Sequence, residues 1–589
     1  METIFETGHP DRSLLSYMKS VKISISIVVI PFLFGKRRTF PHYRFLLFRI
    51  FRRMNLRIVF RHLGSVAFLI AAAMALSIPW GFSGFWRHEH PGIWGLTASI
   101  AISLAIGYLF RRFGKNASNI FYRKEATATV ALSWVLATFL GAMPYLLSGV
   151  QREPGVPMTW ADTMFESQSG FSTTGGSVIN ELENPATLPR CILFWRMTTH
   201  FLGGLGIMVL FVAILGQGSA GRMFMKLEMN GKGLGGPRVT VQQTALRLFT
   251  VYISLNVLLA IILSLLGLNL FDAISYAFSI IATGGFGAHN ASAGHFITGG
   301  YRYASIIEWV MVLFMFLAAC NFTLLYGVCI GRPMQLLRDI EWRTFALIII
   351  LAVIIISFFG FLHNDFDAYG TANDPIPGIA ISEENANGHQ SFPHALRTAT
   401  FQVVSIISTT GLLTDDYVIW NPVSYALLTL LMFIGGCAGS TAGGVKVIRY
   451  VVAWKIIGQE IERSYRPNII RPLLLNGEAV DRGVVHNVLV FFITTIFFAV
   501  ASTFLILAIE PASIWTTDAP GQEVTYCLST VASTMNNVGP CFGVIGPQGS
   551  YAAFSDLSKL IFTWLMILGR LEFFVFLALF QPGFWRSHG

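Results

Sequence analysis

Charged residues are scarce in this sequence. They make up 12% of 589 residues, whereas 54% are hydrophobic. A soluble protein carries about 25% charged residues, so the composition excludes a protein whose surface is solvated throughout. Several apolar runs reach the ~20 residues that a helix needs to cross a bilayer. The composition therefore predicts an all-α polytopic membrane protein.

Cysteine is also scarce, and the six cysteines lack CxxC spacing, so we expect neither a disulfide framework nor a cysteine metal site. The sequence has no phosphate-binding GxxxxGK[ST] motif and no cluster of His, Asp or Glu at membrane depth. These absences argue against an enzyme and against a nucleotide domain in this chain. A purely structural scaffold would leave the glycine-rich segments described below unexplained.

The net charge of +10 could indicate nucleic-acid binding, but the positions of the basic residues argue otherwise. Basic clusters at 36–61, 111–115 and 121–125 flank apolar runs, whereas 363–390 is acidic and lacks Lys and Arg. This is the positive-inside pattern. We therefore expect membrane lipid rather than nucleic acid as a partner, a cytoplasmic (inner) membrane location, and both termini in the cytoplasm.

The long apolar runs predict ten spans. They lie at 62–82, 93–110, 126–149, 190–215, 246–268, 303–330, 344–362, 421–452, 485–509 and 558–580. The basic segment 1–61 precedes them, and it is a candidate for binding anionic lipid or a partner subunit.

Four helical segments of the chain are too short to cross a bilayer. They lie at 160–171, 271–280, 391–406 and 523–534, and each precedes a polar stretch that contains glycine: TTGGS, TGGFG, TTGLL and NNVGP. An alignment of these stretches brings Gly175, Gly284, Gly411 and Gly539 into register. The sequence thus predicts four pseudo-symmetric repeats of span, re-entrant pore helix, filter strand and span. Their bounds are 126–216, 243–330, 344–452 and 485–583, and two accessory spans at 62–125 precede them.

Non-helical backbone at membrane depth is tolerated where it is buried in protein or lines an aqueous path. Four such strands around one axis can replace the hydration shell of a cation with carbonyl oxygens. Threonine adds hydroxyl ligands, and glycine permits unusual φ values. The alternative is that these small residues only pack helices together. The candidate cation-binding residues are Thr173, Thr174, Gly175, Thr283, Gly284, Thr409, Thr410, Gly411, Asn537, Val538 and Gly539.

A second glycine-rich segment, GGCAGSTAGG at 435–444, interrupts the span 421–452. Glycine in a helix interior costs about 1 kcal/mol relative to alanine, so a straight helix is not expected here. The segment is a candidate gate beneath the filter, and the alternative is a kinked helix that packs closely on its neighbours. The gate residues would be Gly435, Gly436, Gly439, Ser440, Thr441, Gly443, Gly444 and Lys446.

Arg570 lies deep in the last apolar run, where a charged side chain is expensive and indicates function. We expect it to point into the pore, and the alternative is a buried salt bridge. Arg196 and His200 are expected in polar networks that pack the helices. Asp415 and Asp416 could attract cations to the outer mouth or form an ordinary solvated pair.

These motifs resemble the Trk/Ktr/HKT superfamily of cation transporters, in its bacterial TrkH-like branch. The resemblance covers about 60–580, and its most specific segments are FIGGCAGSTAGGVKVIR at 433–449 and GRLE at 569–572. It implies a potassium-uptake pore subunit, usually a homodimer, with potassium as the transported ion and a cytoplasmic RCK-type nucleotide-binding regulatory subunit. It also implies a gating loop at 435–444 and a pore role for Arg570.

In this superfamily, serine at the first filter position is associated with sodium selectivity, so Gly175 favours potassium. Cys541, Leu412 and Leu413 depart from the usual pattern. The alternatives are the potassium-binding subunit of a P-type pump and a sodium-permeable member of the same superfamily. Channel-like flux and proton- or sodium-coupled symport both remain open.

Overall fold

The computed structural model describes residues 54–585 with several gaps. The gaps are 83–85, 118–121, 205, 207–240, 364, 368–391, 469–470, 481, 516–520, 547–548 and 572. The predicted basic segment thus lies almost entirely outside the described residues, as do most of the acidic segment 363–390 and the end of the first repeat. Residues 55–584 form one compact unit.

Long apolar helices dominate this unit. Within the described residues, six are long and apolar enough to cross a membrane, and two bent pairs could bring the number to eight. The six are α1 (Leu56–Ala75), α2 (Trp86–Phe113), α3 (Arg123–Leu147), α6 (Val241–Leu265), α12 (Ile340–His363) and α16 (Arg482–Ile509). The structure confirms a polytopic helical protein.

Large apolar side chains cover the outer faces of the long helices. On α12, Leu347, Ile350, Leu351 and Ile354 are all about half exposed, although the helix buries Phe345 and Ile356. Continuous apolar exposure of this kind is unusual for a soluble surface and suits contact with lipid.

Two of the predicted spans are bent. The run 303–330 is bent by 109° between α9 (Ala304–Ala318) and α10 (Phe322–Cys329). The run 558–580 is bent by 112° after α18 (Asp556–Leu571). At the first bend, the Asn321 side chain accepts from the N–H groups of Thr323 and Leu324 and so begins a new helix.

The remaining elements are shorter. The other helices are α4 (Trp160–Phe171), α5 (Arg190–Gly204), α7 (Leu270–Ile281), α8 (His295–Thr298), α11 (Pro333–Arg338), α13 (Phe392–Ile407), α14 (Pro422–Leu431), α15 (Val447–Tyr465), α17 (Gln522–Asn536), α19 (Phe574–Leu577) and α20 (Pro582–Trp585). Two small hairpins pair β1 (Gln151–Glu153) with β2 (Val156–Pro157) and β3 (Leu474–Leu475) with β4 (Glu478–Ala479).

The four predicted short segments are confirmed as helices, namely α4, α7, α13 and α17. Their starts are encoded locally in two cases. Thr159 and Asp162 form a capping box at α4, and the Asn269 side chain accepts from the Asp272 N–H at α7. We call these four helices the pore helices, because each one leads into a candidate filter strand.

Candidate filter and gate

The four pore helices end with the same backbone turn. One residue of each turn has a left-handed φ: 54° at Thr173, 54° at Thr283, 56° at Thr409 and 57° at Asn537. The next N–H then bonds back to a serine carbonyl, from Thr174 to Ser169, Gly284 to Ser279, Thr410 to Ser405 and Val538 to Ser533, over 2.8–2.9 Å. This is the Schellman geometry, which normally uses glycine.

Threonine is an unusual residue for that turn. A β-branched side chain at positive φ is a genuine outlier, and such strain persists only where the surrounding structure imposes it. Threonine nevertheless occupies this strained position in three of the four repeats, so that each of these three turns carries a hydroxyl group.

A glycine with positive φ follows each turn by two residues. These glycines are Gly175 (82°), Gly285 (85°), Gly411 (74°) and Gly539 (98°). The predicted register is therefore wrong by one residue in the second repeat, where Gly285 rather than Gly284 corresponds to Gly175. Gly284 corresponds instead to Thr174, Thr410 and Val538.

The four strands close into a ring. A methyl group added to Gly175 would overlap the carbonyl oxygen of Gly284, and one at Gly285 would overlap that of Thr410. In the same way Gly411 abuts the carbonyl of Val538, and Gly539 abuts that of Thr174. Each strand thus touches the next, and the fourth touches the first. Only glycine allows both this approach and this backbone conformation.

The side chains of the turn residues also meet at the ring. The Asn537 Nδ2 donates to Thr174 Oγ1 at 2.9 Å and to the Met566 carbonyl at 3.1 Å. Its Oδ1 is buried and has no hydrogen-bond partner among the described residues. The Thr409 Oγ1 accepts from the Gly443 N–H at 2.7 Å. The chemistry available here is a set of uncharged oxygen atoms.

In each pore helix, one side chain forms a hydrogen bond with the segment that follows the filter strand. It lies three residues before the serine whose carbonyl accepts the hydrogen bond of the turn (Ser169, Ser279, Ser405 or Ser533). Glu166 accepts from Ser177 and Val178, Tyr276 donates to the Ser292 carbonyl, Gln402 faces Thr414 and Asp415, and Thr530 donates to Cys541 Sγ. Sequence reasoning missed these four residues, although their equal spacing from the serines is a usable signal.

A buried ion pair supports the first two strands. Arg196 Nε lies 2.6 Å from Glu166 Oε1, and its Nη1 donates to the Gly287 carbonyl at 2.9 Å. Both charged side chains are at most 2% exposed. The Arg196 guanidinium also lies over the Phe286 ring at 3.5 Å. The prediction that Arg196 belongs to a polar packing network is confirmed.

His200 belongs to the same network. Its Nε2 accepts from the Phe286 N–H at 3.1 Å, so its Nδ1 carries the proton and donates to the Gly170 carbonyl at 2.8 Å. His200 therefore links the end of α4 to the second filter strand, as predicted for a packing residue.

The predicted break in the span 421–452 is confirmed. Helix α14 ends at Leu431 and α15 begins at Val447, and residues 432–446 form a loop that we call the glycine loop. The loop folds back on itself, because the Gly435 N–H bonds to the Val445 carbonyl at 2.9 Å. Gly439 and Gly444 have positive φ, of 77° and 65°. The kinked-helix alternative is excluded by this geometry.

The glycine loop contacts the second, third and fourth repeats. Gly443 bonds to Thr409 of the third repeat, and a methyl group there would lie 2.8 Å from Asn537 Cβ of the fourth. Thr441 Oγ1 donates to the Ile281 carbonyl at the end of α7, at 2.9 Å. Lys446 Nζ donates to the Ala442 carbonyl within the loop.

Arg570 connects the glycine loop to the first repeat. Its guanidinium donates to the carbonyls of Thr441 at 2.8 Å, Gly203 at 2.7 Å and Gly204 at 3.0 Å. Arg570 thus occupies the region below the ring, and α18 ends one residue later, at Leu571. Sequence reasoning named the residue but missed its three backbone acceptors.

The two aspartates beyond the third strand do not form a solvated pair. Asp415 is 3% exposed and accepts from the Trp420 indole at 3.2 Å. Burial raises the pKa of Asp416, while a bond from the Val418 N–H opposes that shift. Both carboxylates therefore have structural partners in the outer turn.

Comparisons with known proteins agree on one family. A family model described as "TrkH: Cation transport protein" matches residues 96–586. The Trk system potassium uptake protein TrkH of Salmonella typhimurium is 31% identical over 537 residues, which cover 91% of this chain and all of that protein. The protein of the same name from Vibrio parahaemolyticus is 33% identical over 470 residues, 79% of this chain and 86% of its own length.

A solved structure shows the same likeness. The crystal structure of the potassium transporter TrkH from Vibrio parahaemolyticus matches with a TM-score of 0.74 and 29% identity. The match covers 90% of this chain and 100% of that one.

Proposed function

Because the chain belongs to the TrkH family of cation transport proteins, we propose that it carries potassium across the membrane through the ring of four filter strands. Its relatives above are named as potassium uptake proteins. The family makes the chain a multi-pass membrane transport protein rather than an enzyme, as the sequence predicted.

The closed ring is the observation that carries the proposal. The oxygens that lie closest to the filter glycines of the neighbouring strands are the carbonyls of Thr174, Gly284, Thr410 and Val538. The turn residues Thr173, Thr283, Thr409 and Asn537 come one residue earlier in each strand. Neutral oxygens from four sides can replace the water around a monovalent cation. The C-terminal ends of the pore helices add partial negative charge near the ring. Glycine at Gly175 supports potassium over sodium.

The glycine loop is proposed as the gate. It contacts the third and fourth repeats through Gly443 and the second through Thr441. Arg570 ties the loop to the first repeat and supplies a positive charge below the filter. An opening motion must break these few backbone contacts, and a loop rich in glycine can move with little steric cost.

The wider setting follows the family resemblance. We propose a homodimer in the cytoplasmic membrane, with both termini in the cytoplasm, whose gate responds to a separate RCK-type nucleotide-binding subunit. The repeat bounds and the lipid or partner role of the basic segment 1–61 belong to the same proposal. The pump-subunit alternative is not adopted, because the relatives above carry Trk uptake names.

The test is cation flux into proteoliposomes that hold the purified chain, with ⁸⁶Rb⁺ and ²²Na⁺ as tracers and potassium as competitor. We expect ⁸⁶Rb⁺ uptake that potassium suppresses and sodium does not. Gly175→Ser should reduce this preference, because its φ of 82° and its contact with Gly284 both disfavour a side chain.

Gly458→Ser is the matched control, since Gly458 lies in α15 with open space around it. Equal uptake of both tracers by the native chain would contradict potassium selectivity. A native preference that Gly175→Ser leaves intact would contradict the assignment of the filter.

A further inference from the structure

A cluster of two histidines and a glutamate lies where the segments beyond the first two filter strands meet. Glu183 follows the first strand, and His289 and His295 follow the second. Each offers one ligand atom, and these three atoms lie within 4.8 Å of one another. Glu183 is exposed and both histidines are partly exposed, so an ion in solution can reach them.

The hydrogen bonding of His289 defines which nitrogen is available. Its Nε2 lies 3.2 Å from Asp272 Oδ2, and a carboxylate only accepts hydrogen bonds, so Nε2 carries the proton. In the neutral ring, Nδ1 then carries no proton and presents a lone pair. It makes no hydrogen bond among the described residues.

That lone pair faces another acceptor. The distance from His289 Nδ1 to Glu183 Oε1 is 3.4 Å. The same carboxylate oxygen is held by the Asn290 N–H at 3.2 Å. Two acceptors at this distance repel each other unless a cation lies between them, either a proton on Nδ1 or a metal ion. The Asp272–His289 contact is the carboxylate–histidine arrangement that orients histidine ligands in metal sites.

We propose that Glu183, His289 and His295 bind a divalent transition-metal ion of the zinc class. Two imidazoles and a carboxylate, with water as the fourth ligand, form a common zinc set, and imidazole disfavours magnesium and calcium. Asp272 is the positioning residue, and it lies in the first turn of pore helix α7. The bound ion would join the segments that leave the first two filter strands.

Binding requires one movement. The rings of His289 and His295 are stacked, with centroids 3.6 Å apart and planes 2° apart. Lone pairs in parallel planes cannot converge on one ion, and tetrahedral zinc needs ligand atoms about 3.3 Å apart. His295 therefore turns about its side-chain bonds to present a nitrogen.

The test is calorimetric titration of the purified full chain with ZnCl₂, which does not depend on transport. The native chain and every variant in this experiment carry Cys329→Ser, because the exposed Cys329 thiol would bind zinc outside the proposed site. We expect one strong site per chain that excess MgCl₂ or CaCl₂ does not occupy. Glu183→Gln and His295→Gln should each weaken binding at least tenfold, and zinc X-ray absorption should lose an imidazole in His295→Gln.

His363→Gln is the matched control, because His363 is an exposed histidine at the end of α12. Glu183 is exposed, so its variant should fold normally, as gel filtration can verify. Equal zinc affinity in the native chain and both site variants would overturn the proposal. Absence of strong zinc binding would also overturn it and would leave a proton as the cation between His289 and Glu183.

Discussion

Gly285→Ala is the substitution that tests the ring geometry most sharply. Gly285 has a φ of 85°, and alanine in the left-handed region costs roughly 1–2 kcal/mol. The added methyl group would also lie 3.2 Å from the carbonyl carbon of Thr410 and overlap its oxygen. The Thr410 carbonyl must then move, and it is one of the four proposed ligands.

The expected effect follows from that cost. A penalty of about 1–2 kcal/mol on the native filter conformation corresponds to a factor of about 5–30 in its population. We expect ⁸⁶Rb⁺ uptake by proteoliposomes to fall by at least this factor, with a smaller preference over ²²Na⁺. Gly458→Ala is the control, because the same change in an open helical position should be neutral or stabilising. Unchanged uptake and preference in folded Gly285→Ala protein would show that the ring geometry at Gly285 does not control cation passage.

Two further substitutions test the supports of the ring. Arg196→Met should lower the free energy of unfolding by about 3–5 kcal/mol, because it leaves the Glu166 carboxylate buried and unpaired. Thermal unfolding in detergent measures this, and Arg463→Met, at an exposed pair, should shift the midpoint little; equal shifts would contradict the argument. Thr441→Val keeps the side-chain shape but removes the hydroxyl donor to Ile281, a loss of about 1 kcal/mol. If the glycine loop is the gate, basal ⁸⁶Rb⁺ uptake should rise about fivefold, and an unchanged or lower uptake would contradict that role.

The sequence was sufficient for features that depend on local composition. Four short helices followed by polar glycine stretches were predictable, since an apolar run of about 12 residues cannot cross a bilayer. The break at 435–444 was predictable for a similar reason, because glycine weakens a helix wherever it lies.

The register of the second strand was missed because it depends on backbone conformation. TGGFG offers two adjacent glycines, and an alignment by glycine alone cannot choose between them. Counting from the left-handed turn residue would have chosen correctly, since Gly175, Gly285, Gly411 and Gly539 each lie two residues beyond it.

Contacts between segments that are distant in the chain also could not be predicted from the sequence. Arg570 donates to the backbone carbonyls of Gly203, Gly204 and Thr441, and every residue has such a carbonyl. The cluster of Glu183 and His289 could not be predicted for the same reason, because its members are more than 100 residues apart in the sequence and meet only in the folded chain.

The most direct test of the potassium filter is a crystal structure of the chain grown in rubidium, with anomalous scattering recorded at the rubidium edge. We expect a rubidium peak on the ring axis, within coordination distance of the Thr174, Gly284, Thr410 and Val538 carbonyls. Potassium should displace this peak, and sodium should not. An ordered ring with no rubidium on its axis would contradict the assignment of these strands as the potassium filter.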